Sequence, residues 1–310
     1  MEYVMLLPSS LNEKDRIGIV STAFCENFSV IESKIKAFTD LGFKIKIGKS
    51  VYRTDGYFAG TPVSRAYDLM EMFVDNDVKA IFCFRGGYGS INILPYINLK
   101  LIKSHKKALC GYSDVTVLIN YITKKTGLIT FHGPMITSNF DSLETLESLK
   151  FNLIQGTEPY SIPLGNFFSI NPKETTGKLA GGNLTTICSA IGTPYEIDFR
   201  NKILIIEDVN EKPYSIDRML TQLLLSGKLH QCKGFIFGSF LMCTPEESTN
   251  NFTINEIISR IITPLNKPAL LDFSIGHSYP NLTLPIGALA RLNFKGKTID
   301  ILNPIVKKSP

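Results

Sequence analysis

The chain has no tryptophan and only four histidines, and no apolar stretch in it approaches the roughly 20 residues that a membrane-spanning helix needs. Its opening, Met1-Glu2-Tyr3-Val4-Met5-Leu6-Leu7-Pro8, lacks the basic start and long apolar run of a signal peptide. A spanning membrane protein is not expected, and a cytoplasmic location is the expectation. The six cysteines, Cys25, Cys83, Cys110, Cys188, Cys232 and Cys243, show no C-x-x-C spacing, so neither a zinc site nor a dithiol redox motif is present. Several lie in apolar runs, where a reduced thiol fills core space, and Cys110 reads as core rather than as a nucleophile. The net charge is +5, and the lysines are spread rather than clustered among aromatics, which argues against a nucleic-acid surface.

What is present is the composition of an ordinary globular protein, 310 residues at 44% hydrophobic and 20% charged, long enough for two packed domains. From Arg16 to about Gly133, short β-rich runs alternate with helical patterns. Residues 17–20, 44–47, 79–84 and 108–111 read as strands, and residues 30–41, 63–74 and 115–124 as helices. That alternation predicts a parallel sheet, with ligands at the carboxyl ends of its strands. Residues 1–140 thus read as an α/β amino-terminal domain. Residues 141–175, with Pro159, Pro163, Gly165 and Pro172, are weakly patterned and read as a helical segment followed by a linker. Residues 176–310 carry a Gly181-Gly182-Asn183 turn, a helix over 184–191, a strand over 203–206 ending at Glu207, a helix over 216–226, a strand over 234–237 and a strand-rich tail. They predict a smaller β-rich, barrel-like carboxyl-terminal domain.

Two features fall at strand ends of the first domain: the cluster Arg85-Gly86-Gly87-Tyr88-Gly89 and the turn Gly111-Tyr112-Ser113-Asp114. A serine on a sharp strand-to-helix turn has its hydroxyl pushed into the open, with the first helical amides aimed at whatever it attacks. The second glycine of the hydrolase elbow G-x-S-x-G is missing, and a helix N-cap is the competing reading of Ser113. A serine nucleophile needs a base, an acid to orient that base, and amide donors for the oxyanion. Of the histidines, His105 and His230 sit in lysine-containing polar contexts, whereas His132 and His277 follow apolar strands; the glycine before His277 and the polar run after it suit an exposed loop tip. Glu207 and Asp208 are adjacent, so strand alternation sends them to opposite faces and only one can serve the site. The Asp114 amide can give one oxyanion donor, and Gly86 and Gly87 allow a neighbouring backbone close enough to give the second. The same glycines fit neither G-x-G-x-x-G nor a P-loop.

Together these blocks closely resemble the L,D-carboxypeptidases, the serine peptidase family that includes the muramoyl-tetrapeptide carboxypeptidases. The likeness runs from Ile17-Gly18-Ile19-Val20 to Leu284-Pro285-Ile286-Gly287, through Cys83-Phe84-Arg85-Gly86-Gly87-Tyr88-Gly89-Ser90, Gly111-Tyr112-Ser113-Asp114, Phe131-His132-Gly133-Pro134-Met135, Gly181-Gly182-Asn183-Leu184, Glu207-Asp208, the segment from Pro213 to Leu220, and Gly276-His277. The resemblance implies Ser113 as nucleophile, Glu207 as triad acid and His277 as base, and it sets His132 aside. It also implies a flavodoxin-like amino-terminal domain, a homodimer, and a triad that spans both domains.

The expected activity is release of the terminal D-alanine from a muropeptide tetrapeptide in peptidoglycan recycling, with Arg85 a candidate for the D-alanine carboxylate. Neither metal nor organic cofactor is needed, because Ser113 and His277 carry out acyl transfer unaided. A related branch, the microcin-C immunity peptidases, cleaves acyl-sulfamoyl adenylates and stacks the base on tryptophans. This chain has none, although a tyrosine or phenylalanine could replace them, and the loop 160–168 is the candidate wall for such a site. A non-catalytic binding protein of two α/β lobes and a nucleotide-dependent enzyme using Gly86 or Gly181 are the readings from other classes. The missing signal peptide and the complete triad argue against the binding protein.

Overall fold

The structure, a computed structural model, describes residues 5–12, 15–40, 42–244 and 251–309. In chain order its strands are β1 (Arg16–Val20), β2 (Lys44–Ile47), β3 (Val78–Cys83), β4 (Ala108–Gly111), β5 (Thr130–His132), β6 (Tyr160–Pro163), β7 (Phe168–Ile170), β8 (Thr175–Asn183), β9 (Lys202–Val209), β10 (Gly234–Leu241), β11 (Ala269–Leu271), β12 (Leu284–Ile286), β13 (Leu289–Asn293) and β14 (Thr298–Ile301). One six-stranded sheet has the order β12-β5-β4-β3-β1-β2, and β1 to β5 pair in parallel. The other is eight-stranded and mixed, β6-β14-β13-β8-β9-β10-β11-β7, with β8 to β11 parallel at its centre.

The first sheet forms because β1, β3 and β4 are nearly continuous apolar runs that can be buried on both faces, as helices on both sides of a parallel sheet require. The helix Phe28–Asp40 lays Ile31, Ile35 and Phe38 on that sheet at helical spacing. Leu41, where the sequence ends this helix, lies outside the described residues. The helix Pro62–Val74 starts on a Thr61 cap that accepts from the Ser64 amide, and the helix Thr116–Thr126 stops at Gly127 in the left-handed region.

The second half departs from the sequence expectation in three places. Gly181 and Gly182 are not a turn but lie inside β8, at φ +109° and +142°. A Cβ on Gly181 would overlap the Ile205 carbonyl oxygen, and one on Gly182 would fall 2.5 Å from Thr116 Oγ1 and 3.0 Å from His132 Cδ2. These glycines mark close approach, of β9 to β8 and of the second sheet to the first, rather than chain reversal. Next, β9 runs on to Val209, so Glu207 lies within the strand instead of ending it. Finally, the weakly patterned stretch after the helix Leu143–Lys150 supplies β6 and β7, the two edges of the eight-stranded sheet. Edge strands of three or four residues, paired on one side, carry too little alternation to be read.

The two halves share one core. A continuous apolar cluster runs from Ile17, Phe82 and Leu109 through Leu179, Ile203, Ile205 and Ile236 to Ile301. The alternate residues of β9, Leu204 and Ile206, join a second cluster with Ile216, Leu220 and Leu223 of the helix Pro213–Leu225. The chain then returns to the first sheet, where β12 pairs antiparallel with β5. We expect Gly181→Ala to destabilise the fold by about 3 kcal/mol or more, because it combines a disfavoured φ with a backbone clash. Gly192→Ala, at φ +79° with open space around it, should cost only about 1 kcal/mol. Thermal melts of the two variants check the difference.

Candidate active site

Ser113 follows β4 on a single 3-10 turn, Ser113–Val115, that leads into the helix Thr116–Thr126. The N-cap reading does not hold: Val115 occupies that position, with no side-chain cap. Ser113 instead adopts φ +59°, an uncommon conformation for a residue with a Cβ and one that recurs at functional turns. Its surroundings are cut to fit. A Cβ on Gly86 would lie 2.9 Å from both Cβ and Oγ of Ser113, and one on Gly111 would lie 2.8 Å from Val115. The Gly86 and Gly87 amides donate to no acceptor among the described residues.

His277 stands at a loop after β11, as its flanks suggest, and Glu207 reaches it from β9. The imidazole Nδ1 is 2.6 Å from Glu207 Oε2, and the His277 main-chain amide donates to the same oxygen at 3.2 Å. The Glu207 side chain is 0% exposed, against 17% for His277. Gly276, at φ +77°, makes this approach possible, since a Cβ there would lie 2.5 Å from the Glu207 carboxyl carbon. The Tyr112 ring meets the imidazole edge-on at 4.9 Å. With Nδ1 committed to the carboxylate, Nε2 is the basic nitrogen. Ser113, His277, Tyr112, Arg85, Gly86 and Gly87 line one cavity of about 230 Å³. A second cavity, about 390 Å³, adjoins it, and it too is lined by Gly87 and Ser113.

Asp208 faces the other way, as alternation requires, and lines the second cavity. It is buried and accepts from Asn183 Nδ2 at 2.8 Å, from the Thr185 amide and hydroxyl at 2.9 Å each, and from the Val209 amide at 2.8 Å. Burial raises its pKa, and these hydrogen bonds oppose the rise. His132 lies in β5, opposite Gly111 and Leu284, with no exposed surface. Burial lowers its pKa to about 4, so it is neutral and away from the cavity wall. Cys110 is buried, its thiol pKa pushed up by burial, and its Sγ donates to the Pro134 carbonyl at 3.5 Å. It is core.

Arg85 does line the cavity, but Glu26 shares it: Nη1 is 2.5 Å from Glu26 Oε2 and donates to the Cys25 carbonyl at 3.2 Å. Glu26, Met135 and Thr137 are wall residues that sequence reasoning missed. Glu26 and Thr137 carry no motif, and although Met135 closes one of the family-like blocks, only the loops after β1 and β5 bring the three to the cavity. None of residues 160–168 lines either cavity. Among the described residues no three His, Cys, Asp or Glu side chains are grouped to hold a metal ion, and no helix is long and apolar enough to cross a membrane.

This geometry has relatives. The LD-carboxypeptidase N-terminal domain matches residues 17–133, and the LD-carboxypeptidase C-terminal domain matches residues 176–292. The chain belongs to the LD-carboxypeptidase family. It is therefore a serine carboxypeptidase. It is 38% identical to a probable murein peptide carboxypeptidase of Bacillus subtilis, over 94% of this chain and 92% of that one. It is 28% identical to the microcin C7 self-immunity protein MccF of Escherichia coli, over 96% and 95%. Among solved structures it superposes on MccF in complex with glutamyl sulfamoyl guanosine at TM-score 0.89 and 25% identity, covering 97% of this chain and 100% of that one. For the muramoyltetrapeptide carboxypeptidase of Oxalobacter formigenes the values are 0.84 and 26%, covering 95% and 100%. The mixed α/β architecture of two sheets is the one this family shares.

Two predictions come from the acids and histidines. If Glu207 is the acid that orients His277, Glu207→Gln should lower kcat by roughly 10² to 10⁴ with little change in KM, because such an acid acts on the base's tautomer and on the imidazolium that forms. Asp208→Asn should act mainly on the thermal midpoint; a catalytic collapse from Asp208→Asn with normal turnover by Glu207→Gln would reverse the assignment. For His132, the folded pKa of about 4 lies below the ordinary 6.5. Its contribution to stability is therefore complete above pH 6.5 and falls away as the pH drops toward 4, by up to about 3 kcal/mol. His132→Phe should flatten that part of the melting temperature against pH curve.

Proposed function

We propose that this enzyme releases the terminal D-alanine from muropeptide tetrapeptides, cutting between the L-centre of the diamino acid and D-alanine, in peptidoglycan recycling in the cytoplasm and as a homodimer. The observation that carries the reading is the 2.6 Å Glu207–His277 contact at the cavity that Ser113 also lines. In this reading Ser113 Oγ attacks the scissile carbonyl while His277 Nε2 takes its proton, and Glu207 stabilises the resulting imidazolium. The oxyanion accepts from the amides of Asp114, Gly86 and Gly87, the last two unoccupied by any acceptor among the described residues. The tetrahedral intermediate collapses, the amine of D-alanine leaves with the proton from His277, and a water then hydrolyses the acyl-enzyme by the same route.

Substrate polarity follows from the two cavities that flank Ser113. The smaller holds Arg85, whose charge suits the carboxylate of the leaving D-alanine; the larger, walled by Tyr88, Ile91, Val117, Asn183 and Thr186, takes the retained peptide. The names of the Bacillus and Oxalobacter relatives support a muropeptide substrate. One observation favours the second reading, cleavage of an acyl-sulfamoyl adenylate: the Tyr88 ring, 46% exposed, stands on the larger cavity's wall, where it could stack on a base.

A defined tetrapeptide panel with lysine or meso-diaminopimelate at the third position, incubated with the enzyme and read by mass spectrometry, should show loss of one alanine. Loss of an aminoacyl group from a sulfamoyl adenylate, with every tetrapeptide intact, would replace this reading with the second. Ser113→Ala should lower kcat by about 10³ to 10⁶ with the thermal midpoint retained, and EDTA should leave the wild-type rate unchanged. Inactivation by EDTA that zinc restores would contradict the serine mechanism.

A further inference from the structure

Among the described residues Arg65 is the largest side chain with no solvent contact, and it forms no ion pair with a carboxylate there. Its guanidinium donates to three backbone carbonyls: Nε to Gly60 at 3.0 Å, and Nη1 to Gly89 at 2.9 Å and to Thr22. It also lies over the Phe58 ring, 4.8 Å from the centroid. From the opposite side, the buried Asp114 carboxylate accepts from the Gly89 amide at 3.2 Å and from the Ser90 amide at 2.7 Å. Gly89 is thus gripped by both of its backbone groups, its carbonyl by Arg65 and its amide by the residue next to Ser113. It sits at φ +125°, where a Cβ would come within 2.7 Å of Phe58 and 2.9 Å of Arg65 Nη1. Ser90 is tied further to Thr22 by a 2.9 Å hydroxyl contact.

We propose that Arg65 and the Asp114 side chain are positioning residues that hold the Gly86–Gly89 loop with its amides facing Ser113. The inference rests on the reading of Gly86 and Gly87 as oxyanion donors. Stability alone is a poor account of Arg65: a charged group buried on backbone carbonyls loses its hydration, and burial lowers its pKa by more than the charges of Asp114 and Asp55 raise it. An apolar side chain of similar length would fill the same space without that penalty, though it would leave the Thr22, Gly60 and Gly89 carbonyls without this donor. What the guanidinium supplies is a rigid planar fork that fixes three carbonyls at once. Oxyanion donors act only if they are in place before charge develops. A loop with left-handed glycines at 87 and 89 has no intrinsic reason to stay there. Asp114 links the parts, its amide facing the site and its carboxylate holding the loop.

The test uses Arg65→Met, Arg65→Lys and Asp114→Asn in the full chain. Two readouts are taken: steady-state cleavage of the tetrapeptide, and the rate at which a fluorophosphonate modifies Ser113, followed by intact mass. Phosphonylation expels fluoride through a trigonal-bipyramidal state whose oxygen uses the same donors, so it reports on the loop without the natural substrate. We expect Arg65→Met to slow both rates by about 10²-fold and Asp114→Asn by about 10-fold, with KM within about twofold of wild type, because the lost contacts exist only in the transition state. Arg65→Lys should fall between wild type and Arg65→Met, since an ammonium keeps the charge and loses the fork. Should Arg65→Met fail to fold, Asp114→Asn, nearly isosteric, tests the other arm. Labelling and kcat at wild-type levels in variants whose only change is the melting temperature would overturn the clamp. A wild-type enzyme that the probe does not modify at Ser113 would overturn the clamp together with the nucleophile reading beneath it.

Discussion

A carboxylate removed from water must find its compensation within the protein, and Glu207 finds it in a single residue: both the ring nitrogen and the backbone amide of His277 converge on its Oε2. The rest of the site is arranged around that contact. It demands a glycine at 276, because any side chain there would occupy the space of the Glu207 carboxyl group. It demands that β9 carry a charged residue into its buried stretch instead of ending before it. It also demands that the loop bearing His277 be fixed, which the Gly276 amide does by donating to Asn281 Oδ1 at 3.0 Å, while the Asn281 amide donates to Thr145.

The Glu207–His277 contact and Ser113 are built on different sheets, and the fold prevents the two from drifting apart. Gly182 brings β8 against Thr116 and His132 of the first half, Asn120 donates to the Gly181 carbonyl at 2.9 Å and accepts from its amide at 2.8 Å, and β12 sews the chain back onto β5. These contacts share one apolar core, so moving one sheet against the other would open packed interior. Rigid placement follows from packing density rather than from any single strong bond.

The legible parts of the sequence were those whose physics is local. Parallel strands buried on both faces announced β1, β3 and β4, and a helix after a Gly-Tyr-Ser-Asp turn announced the mount of Ser113. The flanks of His277 suggested an exposed loop tip, and the residue does lie on a loop, though its side chain is only 17% exposed; alternation separated Glu207 from Asp208. Features set by distant approach were hidden. Gly181 and Gly182 look like a turn because the same lack of Cβ serves a reversal and a close crossing, and only the partner strand distinguishes the two. Glu26 enters the cavity wall through the fold alone, and β6 and β7 are too short and one-sided to declare themselves. The pairing of Gly86 with Ser113 could be suspected from residue type, but the role of Arg65 could not, since an arginine on the helix Pro62–Val74 reads as a solvated charge until its three carbonyl partners are seen.

Two neighbouring acids in one strand show how environment, not identity, assigns a role. Asp208 accepts four hydrogen bonds from neutral donors, which fill its lone pairs and bind it to the turn that starts the helix Leu184–Ser189. Such a carboxylate is spent on structure, since a charge arising nearby would meet a group whose field is already answered by fixed dipoles. Glu207 accepts on Oε2 only, from the ring and the amide of one histidine, while its Oε1 has no partner among the described residues, and the group is enclosed where water cannot screen it. The adjacent Asp208, also buried and equally acidic by type, contributes instead to the frame that keeps the arrangement in place.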